Sequence, residues 1–175
     1  MGIEAVKSST PAPCRQMIKD GLKLVMSSTE DDVIKFIEDS RKDFLKLPPE
    51  EVAFPRSVSS VDKYRGSNTI YAKGTPMHVR GSLLYNFYIK ERGLEKKYAL
   101  INNGEKIKFC YLKNPNPTRE NVISFIQDFP KELDLARFVD YEMQFNKAFL
   151  DPLKVILDAI GWSVEKKVSL DSFFT

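Results

Sequence analysis

Prolines divide this chain into segments whose apolar residues repeat with the period of an α-helix. Thr10-Pro11 precedes one such segment, Pro48-Pro49 ends a second, and Thr75-Pro76 precedes a third. Proline is tolerated in the first turn of a helix, where its missing N–H costs nothing, and it disfavours helix in the residue before it. The pattern predicts helices over about 11–26, 30–45, 77–92 and 141–160, with a kink in the last one at Pro152.

Three of the predicted helices carry local start or stop signals. Thr10 is the predicted N-cap of the first helix. Thr29 with Asp32 three residues later resembles a capping box, with Asp in place of the usual Glu. Gly93 is placed to end the third helix in a left-handed conformation.

The remaining regular structure predicted from the sequence is a small β hairpin. Residues 106–113 alternate Ile107, Phe109 and Tyr111 with polar residues, which indicates a half-buried strand. Two prolines at 115 and 117 make a turn, and residues 122–126 form the returning strand. Residues 55–74 are predicted to be mainly loop, with a short helical turn within 58–64. The predicted class is therefore α+β, predominantly α, with one antiparallel hairpin.

Basic residues are concentrated in the middle of the chain. Between Arg56 and Lys113 there are 12 basic and 4 acidic residues, a net charge of +8, whereas the remainder carries 15 basic and 20 acidic residues, a net charge of −5. A basic block within an acidic frame predicts a polyanionic partner, nucleic acid first. The alternative is a solvated surface with no partner.

The sequence offers little for catalysis. It has one histidine and two widely separated cysteines, Cys14 and Cys110, and it lacks the nucleotide-binding glycine patterns and the nucleophile elbow. We expect no cofactor, no metal and no active centre, although an enzyme using Cys110 or His78 is a third hypothesis. We also expect a cytoplasmic protein with reduced thiols and no membrane segment.

Two segments combine cations with the start of a predicted helix. Lys7, Ser8 and Ser9 precede Thr10-Pro11, and Lys73 precedes a helix that contains His78, Arg80 and Gly81. Helix N-termini carry a partial positive charge and free N–H groups, so both segments suit a phosphate. The alternatives are plain N-capping in the first segment and a core histidine in the second.

The last nine residues form a separate motif. Leu170, Phe173 and Phe174 follow i, i+3, i+4 spacing and share one face of a helical turn. They either pack on the protein's own core or enter a groove on a partner. The arrangement resembles the sliding-clamp-binding peptide of replication proteins, with Lys167 where that motif has Gln.

Segments along almost the whole chain resemble the C-terminal thumb region of family B DNA polymerases of T-even-like bacteriophages. They include Lys73 through Asn86 with its His-x-Arg-Gly pattern, residues 106–117, residues 149–153 and the terminal peptide. The resemblance implies an end of the palm in 1–9, a thumb domain in 10–162, and a tether with a clamp-binding peptide in 163–175. Together with the charge pattern it assigns DNA phosphates to these residues: Lys7, Ser8, Ser9, Lys63, Lys73, His78, Arg80, Gly81, Tyr85, Lys106 and Lys113.

The implied partners are double-stranded primer-template DNA, a sliding clamp and the catalytic remainder of the polymerase. The exonuclease, fingers and metal-binding palm aspartates of that family are not in this sequence. We therefore expect a non-catalytic part of a nucleotidyltransferase, present either as a fragment or as a separate subunit of a split enzyme. The alternative is a stand-alone clamp-binding adaptor whose basic block is ordinary surface.

Overall fold

The structure, a computed structural model, describes residues 7–165. Within this range the chain divides into two compact units, residues 7–47 with 145–165, and Pro48–Gln144. The thumb domain that the resemblance implies over 10–162 includes residues of both units. The predicted clamp-binding peptide, with Lys167, Leu170, Phe173 and Phe174, lies outside the described residues, as do residues 1–6 of the predicted palm junction.

The first unit is helical. Helix α1 spans Ala12–Ser27, helix α2 spans Glu30–Phe44, a π-helical segment spans Asn146–Leu150, and helix α6 spans Asp151–Ala159. Its core contains a row of phenylalanines. The Phe145 ring lies 5.4 Å from that of Phe44 and 5.0 Å from that of Phe149, while Arg41 stacks 4.7 Å from the Phe145 centroid.

The predicted capping box at the start of α2 is confirmed, since the Asp32 N–H donates to Thr29 Oγ1 and the Thr29 N–H donates to Asp32 Oδ2. The predicted cap of α1 was one residue early. Pro11 occupies the N-cap position with no side-chain cap, and Thr10 instead closes a turn by donating its N–H to the Lys7 carbonyl. Pro11 has an extended ψ of 139°, so it lies outside the helix and Ala12 is the first helical residue.

The predicted kink at Pro152 takes the form of a π-helical segment just before the proline. Helix α5 spans Tyr141–Phe145, and the Asp151 N–H reaches the Asn146 carbonyl five residues back. Proline has no N–H for the i−4 carbonyl, so the preceding turn widens.

The second unit is a three-stranded antiparallel sheet with helices on both faces. Its elements are helix α3 (Pro49–Val52), strand β1 (Phe54–Ser57), helix α4 (Met77–Glu91), strand β2 (Lys106–Tyr111) and strand β3 (Val122–Phe125), and the strand order is β1-β2-β3. Single 3₁₀ turns occur at Asp62–Tyr64, Lys131–Leu133 and Ala136–Phe138. The α+β class, predominantly α, is confirmed, with one strand more than the predicted hairpin.

The strand missed by the sequence is β1, which pairs Phe54 with Phe109 and Arg56 with Ile107. Because β1 is an edge strand, it accommodates Pro55 where a central strand would not. Helix α4 packs on β3 at Gly81, where an added Cβ would lie 2.4 Å from Ser124 Oγ.

The strict alternation predicted for β2 fails at Cys110, which is fully buried although its neighbours Ile107 and Phe109 on the other face are buried too. The reason is that the opposite face of β2 is also covered. There Lys108 Nζ donates to the Glu50 carbonyl of α3 at 3.0 Å. A buried Gln144 side chain fastens this region, donating to the Val52 carbonyl at 2.7 Å and accepting from the Tyr111 N–H at 2.9 Å.

Candidate nucleic-acid interface

Helix α4 begins with an uncapped, electropositive end. Gly74 adopts a φ of +84° and turns the chain, and Thr75 Oγ1 donates back to the Ala72 carbonyl at 2.5 Å. Pro76 at the N-cap position offers no side-chain cap, and the first turn contains no acidic residue. The first amides of the helix therefore keep their donors and their positive partial charge.

His78 lies in that first turn and faces the sheet. Its side chain is half-buried, and its ring centroid lies 6.5 Å from that of Phe109 on β2. Its carbonyl accepts from Ser82 Oγ at 2.7 Å and from Ser124 Oγ at 3.0 Å. Burial lowers the pKa of His78, and nearby Arg56 lowers it further. The imidazole is therefore predominantly neutral near pH 7.

Arg80 is held in position by groups from two loops. Its Nη2 donates to Asn121 Oδ1 and lies 2.9 Å from Met77 Sδ, and its Cζ lies 5.5 Å from the Tyr71 ring centroid. The Tyr71 hydroxyl in turn lies 2.9 Å from both carboxylate oxygens of Glu120. Arg80 Nε is buried and has no hydrogen-bond partner within residues 7–165. The guanidinium is thus oriented by the fold, while its Nε–H donor is unused among the described residues.

Arg56 belongs to the basic block of the sequence, but no sequence pattern assigned it to a site. Its guanidinium lies 5.5 Å from the centroid of Phe109 and 5.9 Å from that of Phe54, and its Nη1 donates to the Pro55 carbonyl at 2.8 Å. Burial lowers the pKa of Arg56, and Tyr111 acts in the opposite direction. The signal that could have found it is the period-two pattern of residues 54–57, which Pro55 disguises.

The fold brings some of the predicted phosphate ligands together. His78 and Arg80 share the first turns of α4, and the exposed Lys73 precedes them in the loop. Lys106 is exposed but alternates with Ile107 along β2, so it points away from the sheet face that Phe109 and His78 occupy.

The other predicted ligands are less closely grouped. Lys63 is exposed, with its Nζ 5.3 Å from the Tyr64 ring, and Lys113 follows β2 with its N–H on the Phe138 carbonyl. Lys7, Ser8 and Ser9 belong to the other compact unit, ahead of α1.

Gly81 and Tyr85 serve the interior of the fold. Gly81 is buried where α4 meets β3. Tyr85 is 2% exposed, and its hydroxyl donates to the Ala99 carbonyl at 2.9 Å. It borders a cleft of about 560 Å³ that contains none of the other predicted phosphate ligands. Helix α4 is buried on most of its circumference, and these two residues lie on its buried part. Both are therefore omitted from the proposed interface.

The geometry gives no support to a thiol nucleophile. Cys14 and Cys110 are both fully buried, and burial raises the pKa of each thiol, that of Cys14 to about 12. A thiolate is the reactive form, so neither side chain is activated. Within residues 7–165 no cluster of three His, Cys, Asp or Glu side chains is arranged for a metal ion, and no helix there has the length and apolarity to cross a membrane.

Comparison with known proteins shows what the chain is similar to in sequence. No protein-family model matches the chain. Over nearly its whole length the chain is similar to a segment of DNA-directed DNA polymerases of bacteriophages.

Two such relatives are the DNA-directed DNA polymerases of Enterobacteria phage T4 and Escherichia phage RB69. The first is 26% identical over 178 residues, and the second is 28% identical over 179 residues. In both cases the match covers 99% of this chain and 19% of the relative. The chain thus spans about a fifth of the length of the curated relatives it matches.

Proposed function

We propose that this chain supplies the thumb portion of a replicative DNA-directed DNA polymerase in the cytoplasm of a phage-infected host. In this role it grips primer-template duplex through phosphates and does so independently of base sequence. The observation that carries the proposal is the similarity to phage DNA polymerases along 99% of the chain. The net charge of +8 between Arg56 and Lys113 supports a polyanionic partner.

The proposed phosphate contacts near α4 are Lys73, His78 and Arg80. Lys73 is exposed at the uncapped end of the helix, and Arg80 is oriented by Asn121 and Tyr71. The helix end adds backbone donors to these side chains. Lys7, Ser8, Ser9, Lys63, Lys106 and Lys113 remain proposed contacts from the sequence.

Clamp tethering is the second part of the proposal, and it rests on sequence alone. Leu170, Phe173 and Phe174, with Lys167, would dock on a sliding clamp. Two contacts on one chain make the second binding event intramolecular, which raises avidity by roughly 10²–10⁴. The Phe173→Ala/Phe174→Ala variant should lose clamp binding and keep its duplex affinity.

A salt titration of duplex binding tests the gripping role. Counterion release predicts that log affinity falls linearly with log salt, with a slope of about −0.9 for each phosphate contacted, and that affinity is nearly equal for unrelated sequences. Fluorescence anisotropy with two labelled duplexes of different sequence measures both properties. A flat salt dependence would refute the gripping role and favour a stand-alone clamp-binding adaptor.

Two charge reversals locate the contact. Lys73→Glu should weaken duplex binding and reduce the magnitude of the salt slope by at least about 1. The matched control is Lys46→Glu, an exposed lysine outside the basic block whose replacement changes the net charge equally. Equal losses in the two variants would indicate a general charge effect, and the α4 site would then be rejected. Lys73 is preferred to Arg80 because Arg80 also has internal partners.

A further inference from the structure

The guanidinium of Arg56 and the imidazole of His78, which come from different elements, both lie near one aromatic ring, that of Phe109. Arg56 Cζ lies 5.5 Å from the Phe109 centroid, and the His78 ring lies 6.5 Å from the same centroid. The β1–β2 register places Phe54 opposite Phe109, so Arg56 stacks on both rings. Arg56 belongs to β1 and His78 to α4, so their proximity is a property of the fold.

The groups facing His78 from each packed element favour its neutral form in the free chain. Strand β1 contributes Arg56, β2 contributes Phe109 with Tyr111 further along the same face, and β3 contributes Ser124. On helix α4 and in the loop before it, the charged residues nearest to His78 in sequence are Lys73 and Arg80. The causes that shift the pKa of His78 are burial and Arg56, and both lower it.

We propose that Arg56 and His78 form one phosphate site on the duplex-binding surface, and that His78 takes up a proton when the phosphate binds. This inference rests on the proposed function and adds both a contact, Arg56, and a pH dependence to it. A phosphodiester carries one negative charge and accepts hydrogen bonds. It would offset the repulsion between the two cations and favour the imidazolium, whose two N–H groups both donate.

Thermodynamic linkage converts this into a measurable effect. If the phosphate raises the pKa of His78, then protonation strengthens duplex binding by the same factor. Each unit of increase corresponds to about a tenfold gain in affinity at low pH. Duplex affinity should therefore fall as pH rises from about 5.5 to 7.5, more steeply than in His78→Gln.

The chain contains a single histidine, so every imidazole C–H signal in an NMR spectrum reports this site. The imidazole C–H resonance of the full chain would be titrated alone, with inorganic phosphate, and with a short duplex at low salt. We expect a pKa below 6.5 in the free chain and a higher value with the duplex. Inorganic phosphate should have a smaller effect, because it lacks the neighbouring contacts of the duplex.

Arg56→Gln provides the test of the pair. Removing the like charge should raise the pKa of His78 in the free chain and reduce the increase caused by the duplex. Arg56→Lys should keep most of both effects. Arg119→Gln, an exposed arginine in the same compact unit, is the matched control and should leave the His78 pKa unchanged.

The outcomes separate this inference from the function on which it rests. Salt-dependent duplex binding with an unchanged His78 pKa would overturn the inference and leave the gripping role intact. Inorganic phosphate that raises the pKa as much as the duplex would assign the site to free anions and also overturn it. Absence of duplex binding at low salt would overturn both. The titration of His78 in the wild-type chain tests the proposed proton uptake even if Arg56→Gln fails to fold.

Discussion

The contact between α4 and β3 at Gly81 predicts that Gly81→Ala destabilises the second unit, although alanine is the better helix former. An ideal Cβ at Gly81 would lie 2.4 Å from Ser124 Oγ, 2.9 Å from the Ser124 nitrogen and 3.1 Å from the Ile123 carbonyl carbon. The hydroxyl can rotate away, but the strand backbone cannot. The helix must therefore move away from β3.

The magnitude follows from two opposing effects. Overpacking against a backbone belongs at the upper end of the usual range, about 3 kcal/mol, and alanine regains about 1 kcal/mol of helix propensity. We therefore expect a net loss of about 2 kcal/mol in the free energy of unfolding. Urea denaturation followed by far-ultraviolet circular dichroism measures it as a lower transition midpoint.

Gly21→Ala in α1 is the matched control. It is also a buried helical glycine, but the nearest atoms to its Cβ are side-chain carbons, Phe36 Cε1 at 3.3 Å and Leu153 Cδ1 at 3.6 Å. Half-buried Phe36 can shift slightly, so this variant should be unchanged or stabilised by up to about 1 kcal/mol. A Gly81→Ala variant as stable as the parent, or equal losses at both positions, would refute the reasoning.

Three further results are expected. Thr29→Ala should cost about 1 kcal/mol by removing the capping box of α2, measured by urea denaturation, and Thr29→Ser should restore most of it. A thiol reagent should label neither Cys14 nor Cys110 in the folded chain, because both are fully buried, and it should label both in denaturant. Rapid labelling of the folded chain would contradict this prediction. The pKa of His78 is lower in the folded chain than the usual 6.5, so the unfolded chain binds more protons at pH values between the two. The free energy of unfolding should therefore rise with pH across this window. The His78→Gln variant should lose this contribution of His78 to the pH dependence.

The features predicted correctly from the sequence were those fixed by neighbouring residues. The capping box at Thr29 needs only Asp32, and the end of α4 needs only Gly93, which adopts a φ of +64°. Strand β1 was missed because its evidence lies elsewhere in the chain, in the pairing of Phe54 with Phe109. Pro55 argued locally against a strand, and the edge position that permits it is a property of the sheet.

In the candidate site, too, the residues close together in sequence were predicted and those brought together by the fold were not. Lys73, His78 and Arg80 were found because they are close in sequence, at the start of one helix. Arg56 was not assigned, because its proximity to His78 depends on the sheet register. Tyr85 was included because its segment resembles the polymerase thumb, and its burial follows from packing around most of α4, which no single apolar stripe reveals.

The division of the chain into units has a consequence for synthesis. Helices α1 and α2 emerge from the ribosome long before Phe145, Phe149 and α6, against which they pack, because the whole of Pro48–Gln144 is translated in between. At about 5–20 residues per second, this delay is of the order of 5–20 s. The inserted unit is continuous in sequence and can fold during that interval. Once folded, it replaces a long flexible loop between residues 47 and 145, so the entropy cost of joining the two parts of the outer unit is smaller. Any variant that slows folding of the insert would therefore prolong the exposure of the phenylalanine core of the outer unit.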